Sequence, residues 1–259
     1  MGKVTAKKSL GQHFLKDLNI AKNICDSLIE GDFSDVLEIG PGMGVLTQYL
    51  LPRTDIKLTA LDIDIESIDF LHDKYPQYVD QIQYGDFLKL DIDSIFENNF
   101  AIIGNFPYNI SSQIFFRVLD YKDRVPEVVC MIQKEVAERL AANHGNKTYG
   151  ILSVLLQTFY KIEYIQTVNE NVFDPPPKVK SAVIRLTRND RKELDISFKF
   201  FKNVVKTGFN QRRKTLRNSL KPILLQNKID HEYLSMRPEQ LSVEQFIELA
   251  KMIKNVLET

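Results

Sequence analysis

Residues 36–47 read Val36-Leu37-Glu38-Ile39-Gly40-Pro41-Gly42-Met43-Gly44-Val45-Leu46-Thr47, and this stretch decides the fold. Val36 to Ile39 is a short apolar run suited to a buried parallel strand. Three glycines then alternate with other residues, and Val45 to Leu51 resumes with helical spacing. Strand, glycine turn and helix form the first unit of a nucleotide-binding α/β sheet. Glycine is needed there because the chain reverses tightly and its backbone must come close to a ligand. A dinucleotide fingerprint is G-x-G-x-x-G, with its last glycine inside the helix and a pyrophosphate on the helix N-terminus. The spacing in this chain is G-x-G-x-G, with Glu38 two residues ahead of Gly40. An acidic group at that place suits a cationic or hydroxyl-rich ligand better than a pyrophosphate.

Outward from this motif, Lys57 to Asp62 reads as a second strand ending in acid, with Ile63 next to it. Asp62 lies roughly 20 residues beyond the glycines, where a strand-end carboxylate accepts hydrogen bonds from ribose hydroxyls. Asp64 and Glu66 read as charges at a helix N-terminus. Ile82 to Tyr84 is a third strand, closed by Gly85-Asp86-Phe87; the Asp86 carboxylate suits an adenine amino group and the Phe87 ring suits the base. Phe100 to Gly104 and Val128 to Ile132 are apolar strands, Lys134 to Ala142 and Tyr149 to Tyr160 read as helices, and Ser181 to Leu186 is a late strand. This alternation predicts a doubly wound, largely parallel sheet, with its ligand at the carboxyl ends of the strands. Asn19 is expected to cap a helix running to about Glu30, with Ile20, Ile24, Leu28 and Ile29 on its inner face. From Ser197 onward the pattern is helical only, broken at Asn210, Pro222 and Pro238; Ser242 to Gln245 is a capping box before a stripe of Phe246, Ala250, Ile253 and Leu257. The expected boundary lies near residue 190. It separates an α/β domain over 1–190, with a mobile basic arm over about 1–8, from a small helical domain over 191–259.

Composition bounds the function. The chain has 259 residues, 44% hydrophobic and 26% charged, the profile of a soluble globular protein. No apolar run approaches the ~20 residues of a membrane span, and no signal-peptide core follows Met1, so a cytoplasmic, membrane-free setting is expected. Cys25 and Cys130 sit in apolar segments and read as reduced core residues. Net charge is zero, with 34 basic and 34 acidic residues, but the distribution is uneven. Met1 to Lys16 carries Lys3, Lys7, Lys8 and Lys16 with no acid. Phe198 to Ile229 carries Lys199, Lys202, Lys206, Arg212, Arg213, Lys214, Arg217, Lys221 and Lys228, again with no acid. Two basic poles on a neutral protein suggest a footprint for a polyanion.

Asn105-Phe106-Pro107-Tyr108 closes the fourth strand and matches [D/N]-x-P-Y, with which amino-methylating enzymes hold a nucleobase. The exocyclic amine of adenine is a poor nucleophile because its lone pair is delocalised into the ring. Hydrogen bonds from both N–H groups to the Asn105 side-chain oxygen and the Phe106 carbonyl favour a pyramidal nitrogen. Pro107 restricts Phe106 to extended conformations and so aims that carbonyl. Tyr108 offers a flat face for the base.

E-x-G-x-G-x-G over Glu38 to Gly44 resembles the first motif of S-adenosylmethionine-dependent methyltransferases. Four further stretches extend the likeness: Lys8 to Leu15, Asn105 to Ser111, Phe173 to Val183, and Phe209 to Leu220. Together they resemble the KsgA/RsmA ribosomal RNA adenine dimethyltransferases over nearly the whole chain. The resemblance implies a Rossmann-like class I methyltransferase sheet with a small all-α C-terminal domain. It also implies methyl transfer from S-adenosyl-L-methionine to the N6 amines of two adjacent adenosines in the 3'-terminal hairpin loop of 16S rRNA. The implied partner is the immature small ribosomal subunit, bound by a monomer without a metal.

Carried over residue by residue, the family's cofactor contacts fall on His13, Leu15, Gly40, Asp62, Asp86 and Asn105, beside Glu38, Gly42, Gly44, Ile63 and Phe87 of the local motifs. His13 stands where many members have Asn, and Asp62 where many have Glu. Asn105, Pro107 and Tyr108 carry the catalytic role, and Phe173 is implied to close over the target base opposite Tyr108. Arg212, Arg213, Lys214 and Arg217 are candidate phosphate contacts; the first two cannot face the same way on one helix. The Erm-type large-subunit methyltransferases share the catalytic motifs, but Asn210 to Leu220 favours the small-subunit enzyme. A zinc deaminase needs H-x-E with P-C-x-x-C, which is absent, and the glycine spacing disfavours a dehydrogenase. An assembly factor with a vestigial site is disfavoured by the intact Glu38, Gly40, Asp86 and Asn105 to Tyr108.

Overall fold

Short apolar runs bounded by turn residues become strands here, and the amphipathic stretches between them become helices. The structure, a computed structural model, describes residues 4–29, 31–225, 227 and 229–258. In chain order, the first half gives β1 (Phe14–Leu15), α1 (Leu18–Asp26), β2 (Asp35–Ile39), α2 (Thr47–Leu50), β3 (Lys57–Asp62), α3 (Ile65–Lys74), β4 (Ile82–Tyr84), β5 (Phe100–Asn105), α4 (Ser111–Asp120) and β6 (Glu127–Gln133). The second half gives α5 (Lys134–Ala141), α6 (Ile151–Phe159), β7 (Tyr160–Val168), β8 (Phe173–Asp174), β9 (Ser181–Arg188), α7 (Phe198–Asn210), α8 (Leu216–Ser219), α9 (Lys221–Leu224) and α10 (Val243–Glu258). The chain divides into two compact units, Met1–Ala137 with Ile162–Arg188, and Glu138–Lys161 with Asn189–Thr259.

The first unit is built on a seven-stranded sheet of order β4-β3-β2-β5-β6-β9-β7. β2 pairs in parallel with β3 and β5, β3 with β4, and β5 with β6; β9 runs antiparallel to β6. The expected α/β sheet is therefore present, mixed at one side. Its central strands are covered on both faces, so their sequences are continuous apolar runs: Ala101, Ile102 and Ile103 of β5 and Val128 to Ile132 of β6 are all buried.

Several local expectations are corrected. Asp17 caps α1 in place of Asn19: its Oδ1 accepts the Asn19 and Ile20 N–H groups at 2.9 and 3.1 Å. A full carboxylate charge at the positive end of the helix makes it a good cap. The helix stops at Asp26, and Ile29 is 52% exposed instead of facing inward; Glu30 lies outside the described residues. The helix expected over 45–51 shrinks to Thr47–Leu50, because turns occupy 42–46. β7 and the β1–β8 pair were not expected. The N-terminal arm is docked: Lys7 Nζ lies 2.6 Å from Asp64 Oδ1 and 3.0 Å from Glu66 Oε1. Gln12 accepts the Lys7 N–H and donates to Asp64 Oδ2, each at 2.8 Å. Met1, Gly2 and Lys3 lie outside the described residues.

The second unit differs from a domain starting at residue 191, because it also takes Glu138–Lys161. α6 packs against α7 and α10, and Phe201, Val204, Val205, Phe246, Leu249, Ala250 and Ile253 are buried. The capping box forms as expected: Ser242 N–H donates to Gln245 Oε1 at 2.9 Å, and Gln245 N–H to Ser242 Oγ at 3.2 Å. Leu257 leaves the expected stripe, being 38% exposed. Pro222 and Pro238 each open a short helical turn rather than end one, since a first-turn position has no amide partner to lose.

Candidate active site

Parallel strands that end together deliver their next residues to one place. β2 delivers Glu38 and the glycine turn, β3 delivers Asp62 and Ile63, the segment after β4 delivers Asp86, and β5 delivers Asn105. All of these line one cavity with about 1050 Å³ of open space, together with Leu10 to Leu15 from the N-terminal segment and Phe106 to Ile110 after β5. His13, Leu15, Gly40, Gly42, Pro107 and Tyr108 are therefore brought together as expected. The lining also holds residues that the sequence reading does not single out, among them Met43 in the glycine turn, Leu88 two places after Asp86, and Gln12 in the Lys8 to Leu15 stretch. The spacing from Asp86 and the motif context were the available signals for the last two.

Three expected residues do not line it. Gly44 (φ +76°) serves packing, since a Cβ there would lie 2.6 Å from Leu71 Cδ2. Phe87 is buried, with the Arg117 guanidinium 5.9 Å from its ring centre. Phe173 is 1% exposed and packs in the hydrophobic core that includes Leu15, Val168 and Val183. The β1–β8 register explains this, because Phe173 is paired with Leu15 and shares its inward face.

The cavity lining contains the carboxylates of Glu38, Asp62 and Asp86 and no Lys or Arg. Glu38 is fully enclosed, its Oε2 accepting the Thr47 hydroxyl at 2.8 Å. Burial pushes its carboxyl up to about 8; the Thr47 hydrogen bond opposes that rise and the Asp62 charge adds to it. Asp62 accepts the Asp64 N–H at 2.9 Å and the Gly42 N–H at 3.0 Å. Burial raises its carboxyl too, against those two amides. Asp86 Oδ1 accepts the Leu88 N–H at 2.9 Å.

The Asn105 amide has a defined orientation. Its Nδ2 donates to the His13 carbonyl at 3.0 Å, so Oδ1 is left as the acceptor. The Phe106 N–H donates to the Met131 carbonyl at 3.0 Å, and no donor among the described residues reaches the Phe106 carbonyl. His13 Nδ1 donates to the Pro175 carbonyl at 2.8 Å, and its ring centre lies 5.5 Å from that of Tyr108, tilted by 31°. The Tyr108 hydroxyl is hydrogen-bonded to Ser181 Oγ. Burial raises the phenol pKa against that bond, which disfavours a phenolate base.

In the second unit, Arg213, Lys214 and Arg217 are exposed and Arg212 half-buried. Residues 211–214 form a turn instead of a helix, which frees neighbouring side chains from the helical facing rule. Arg212 donates to the Asn146 carbonyl at 3.4 Å, with its Nε 3.7 Å from Glu239. Arg217 lies 4.0 Å from Asp230. Lys3 and Lys228 of the two basic runs lie outside the described residues. No cluster of His, Cys, Asp and Glu able to hold a metal ion, and no helix long and apolar enough to cross a membrane, occurs among the described residues.

Residues 3–255 match the family described as ribosomal RNA adenine dimethylase. The chain is 60% identical over 257 residues to the ribosomal RNA small subunit methyltransferase A of Parabacteroides distasonis, covering 98% of this chain and 96% of that one. It is 59% identical over 255 residues to the protein of the same name from Cytophaga hutchinsonii, covering 98% and 99%. Among solved structures, it is similar to a dimethyladenosine transferase from Plasmodium falciparum, with TM-score 0.77, 26% identity, and 94% and 98% of the two chains covered. The 23S rRNA methyltransferase ErmE shares the fold at TM-score 0.66 and 24% identity, with 92% and 99% covered. The chain belongs to the ribosomal RNA adenine dimethylase family, S-adenosylmethionine-dependent methyltransferases of the class I fold.

Proposed function

We propose that this protein dimethylates the N6 amines of two adjacent adenosines in the 3'-terminal hairpin loop of 16S rRNA, acting as a cytoplasmic monomer on the immature small subunit. The observation that carries the reading is a cavity lined by Glu38, Asp62, Asp86 and Asn105 without a Lys or Arg. It offers a pyrophosphate no cation and suits a ligand bearing a sulfonium, an ammonium, ribose hydroxyls and an adenine amine. S-adenosylmethionine, when bound, supplies an electrophilic methyl group.

Gly40 and Gly42 would let the backbone approach that cofactor, Asp62 would hold its ribose, Asp86 its adenine amine, and His13, Leu15 and Ile63 its remaining edges. The chain's own groups then act on the target amine. Asn105 Oδ1 and the Phe106 carbonyl accept its two N–H groups, which turns the nitrogen lone pair out of the ring plane. Holding the amine this way needs no prior deprotonation. Tyr108 supplies a stacking face. In the second unit Arg213, Lys214 and Arg217 would meet phosphates, with Arg212 holding the turn that carries two of them.

Incubation with methyl-labelled S-adenosylmethionine and unmethylated small subunits, followed by mapping of the label, tests the reading. Label in two adjacent adenosines near the 3' end of 16S rRNA is expected. Label in 23S rRNA would overturn the choice of subunit, and none in either would overturn the activity.

A further inference from the structure

Ser181 is a buried hydroxyl with no accessible surface, on the first residue of β9 where it is paired with Gln133 of β6. A buried hydroxyl requires a partner. Its partner is the Tyr108 hydroxyl, 73 residues away in the chain. The other bonds of the loop after β5 hold backbone: Phe106 N–H to the Met131 carbonyl, Ile110 N–H to the Pro107 carbonyl, and Ser111 Oγ to the Tyr108 carbonyl. None of them fixes the tyrosine ring. The His13 ring tilts against Tyr108, but a tilted contact leaves the ring free to swing about its side-chain torsions. The hydroxyl bond to a residue of the central sheet fixes where the far end of the ring lies and so stops its swing about the first side-chain torsion.

We infer that Ser181 is a positioning residue for methyl transfer, which anchors the Tyr108 hydroxyl to β9 and so presents the tyrosine face to the incoming base. The inference rests on the proposed stacking role of Tyr108. It gives the tyrosine hydroxyl a task other than acid–base chemistry, and it assigns the same task to both ends of one hydrogen bond. Ser181→Ala and Tyr108→Phe then remove the same bond and have the same consequence.

The test is a double-mutant cycle read by steady-state kinetics on unmethylated small subunits, with cofactor affinity and the thermal midpoint measured beside it. Ser181→Ala and Tyr108→Phe are each expected to lower kcat/KM for the RNA by about 3- to 10-fold, the scale of one hydrogen bond. The double variant is expected to be no worse than either single one, with S-adenosylmethionine affinity unchanged. Multiplicative losses would overturn the inference, as would a fully active Ser181→Ala. A Ser181→Ala protein that loses cofactor affinity and thermal midpoint together would also overturn it, since that pattern marks a purely structural serine. Tyr108→Ala separates the two levels. A fully active Ala variant sinks the stacking role itself, whereas an inactive one with uncoupled Ser181 sinks only the anchor.

Discussion

Glu38, enclosed behind the glycine turn, carries a carboxyl raised from its ordinary 4.5 to about 8. The native state therefore prefers the protonated acid. Its contribution to stability is full below pH 4.5 and is lost as pH rises through about 8. A cationic ligand reverses the preference by stabilising the carboxylate. Affinity for S-adenosylmethionine is expected to rise from pH 6 to 8 with proton release, and Glu38→Gln is expected to flatten that slope in calorimetry at several pH values. Glu127 is raised by burial to about 7 but is not in the cavity lining, and Asp62, also raised by burial, is present in both proteins, so the difference between wild type and Glu38→Gln reports Glu38 together with its coupling to Asp62. Asp86→Ala should weaken cofactor binding by roughly 1–3 kcal/mol, the scale of a hydrogen bond to a charged group; an unchanged affinity would move the adenine elsewhere. Asn105→Ala should nearly abolish turnover and also weaken cofactor binding, while Asn105→Asp keeps an acceptor and should retain more activity. Single-turnover rates would sink the acceptor role if both variants were equally slow.

The N-terminal segment and β7 mark the limits of reading at the scale of elements. Lys7 and Gln12 both hold Asp64, the residue that caps α3, and the residues that follow wall the cavity. Lys7→Ala should raise hydrogen exchange over residues 7–15 and weaken cofactor binding without altering exchange in β5 or β6. Unchanged exchange in that segment would show that Gln12 alone suffices. The strands that carry the site were legible because burial on both faces writes a continuous apolar run. β7 was not, because it lies at the sheet edge with only Tyr160 and Val168 buried, and follows the apolar α6 without a break. β1 and β8 are two residues each and exist through their mutual pairing, so neither has a local signature. The same pairing buries Phe173 beside Leu15: a motif identifies an aromatic residue, but its strand partner decides which face it takes. The carboxylates were legible as strand-end acids; the bond from Asn105 to the His13 carbonyl, joining residues 92 apart, was not.

For the whole molecule, the proposed role of the acid-free basic run is tested by separating binding from chemistry. Replacing Arg213, Lys214 and Arg217 with Ala should reduce rRNA affinity and make its salt dependence shallower, because fewer counterions are released. Cofactor affinity should stay the same. A salt slope equal to that of wild type would send the RNA path to another surface. Arg212→Ala is expected to behave differently, with a loss of thermal midpoint, since its guanidinium is engaged with Asn146 and Glu239. The helical unit draws on two separated stretches, Glu138–Lys161 and Asn189–Thr259, and this has a consequence for synthesis. As the chain leaves the ribosome, the α6 residues Val154, Leu155, Leu156 and Phe159 emerge well before α7 and α10, against which α6 packs. During that interval the nascent chain shows a greasy face that waits for α7 and α10, so a message cut short near codon 190 should yield a sticky product that chaperones hold, not a working half-enzyme.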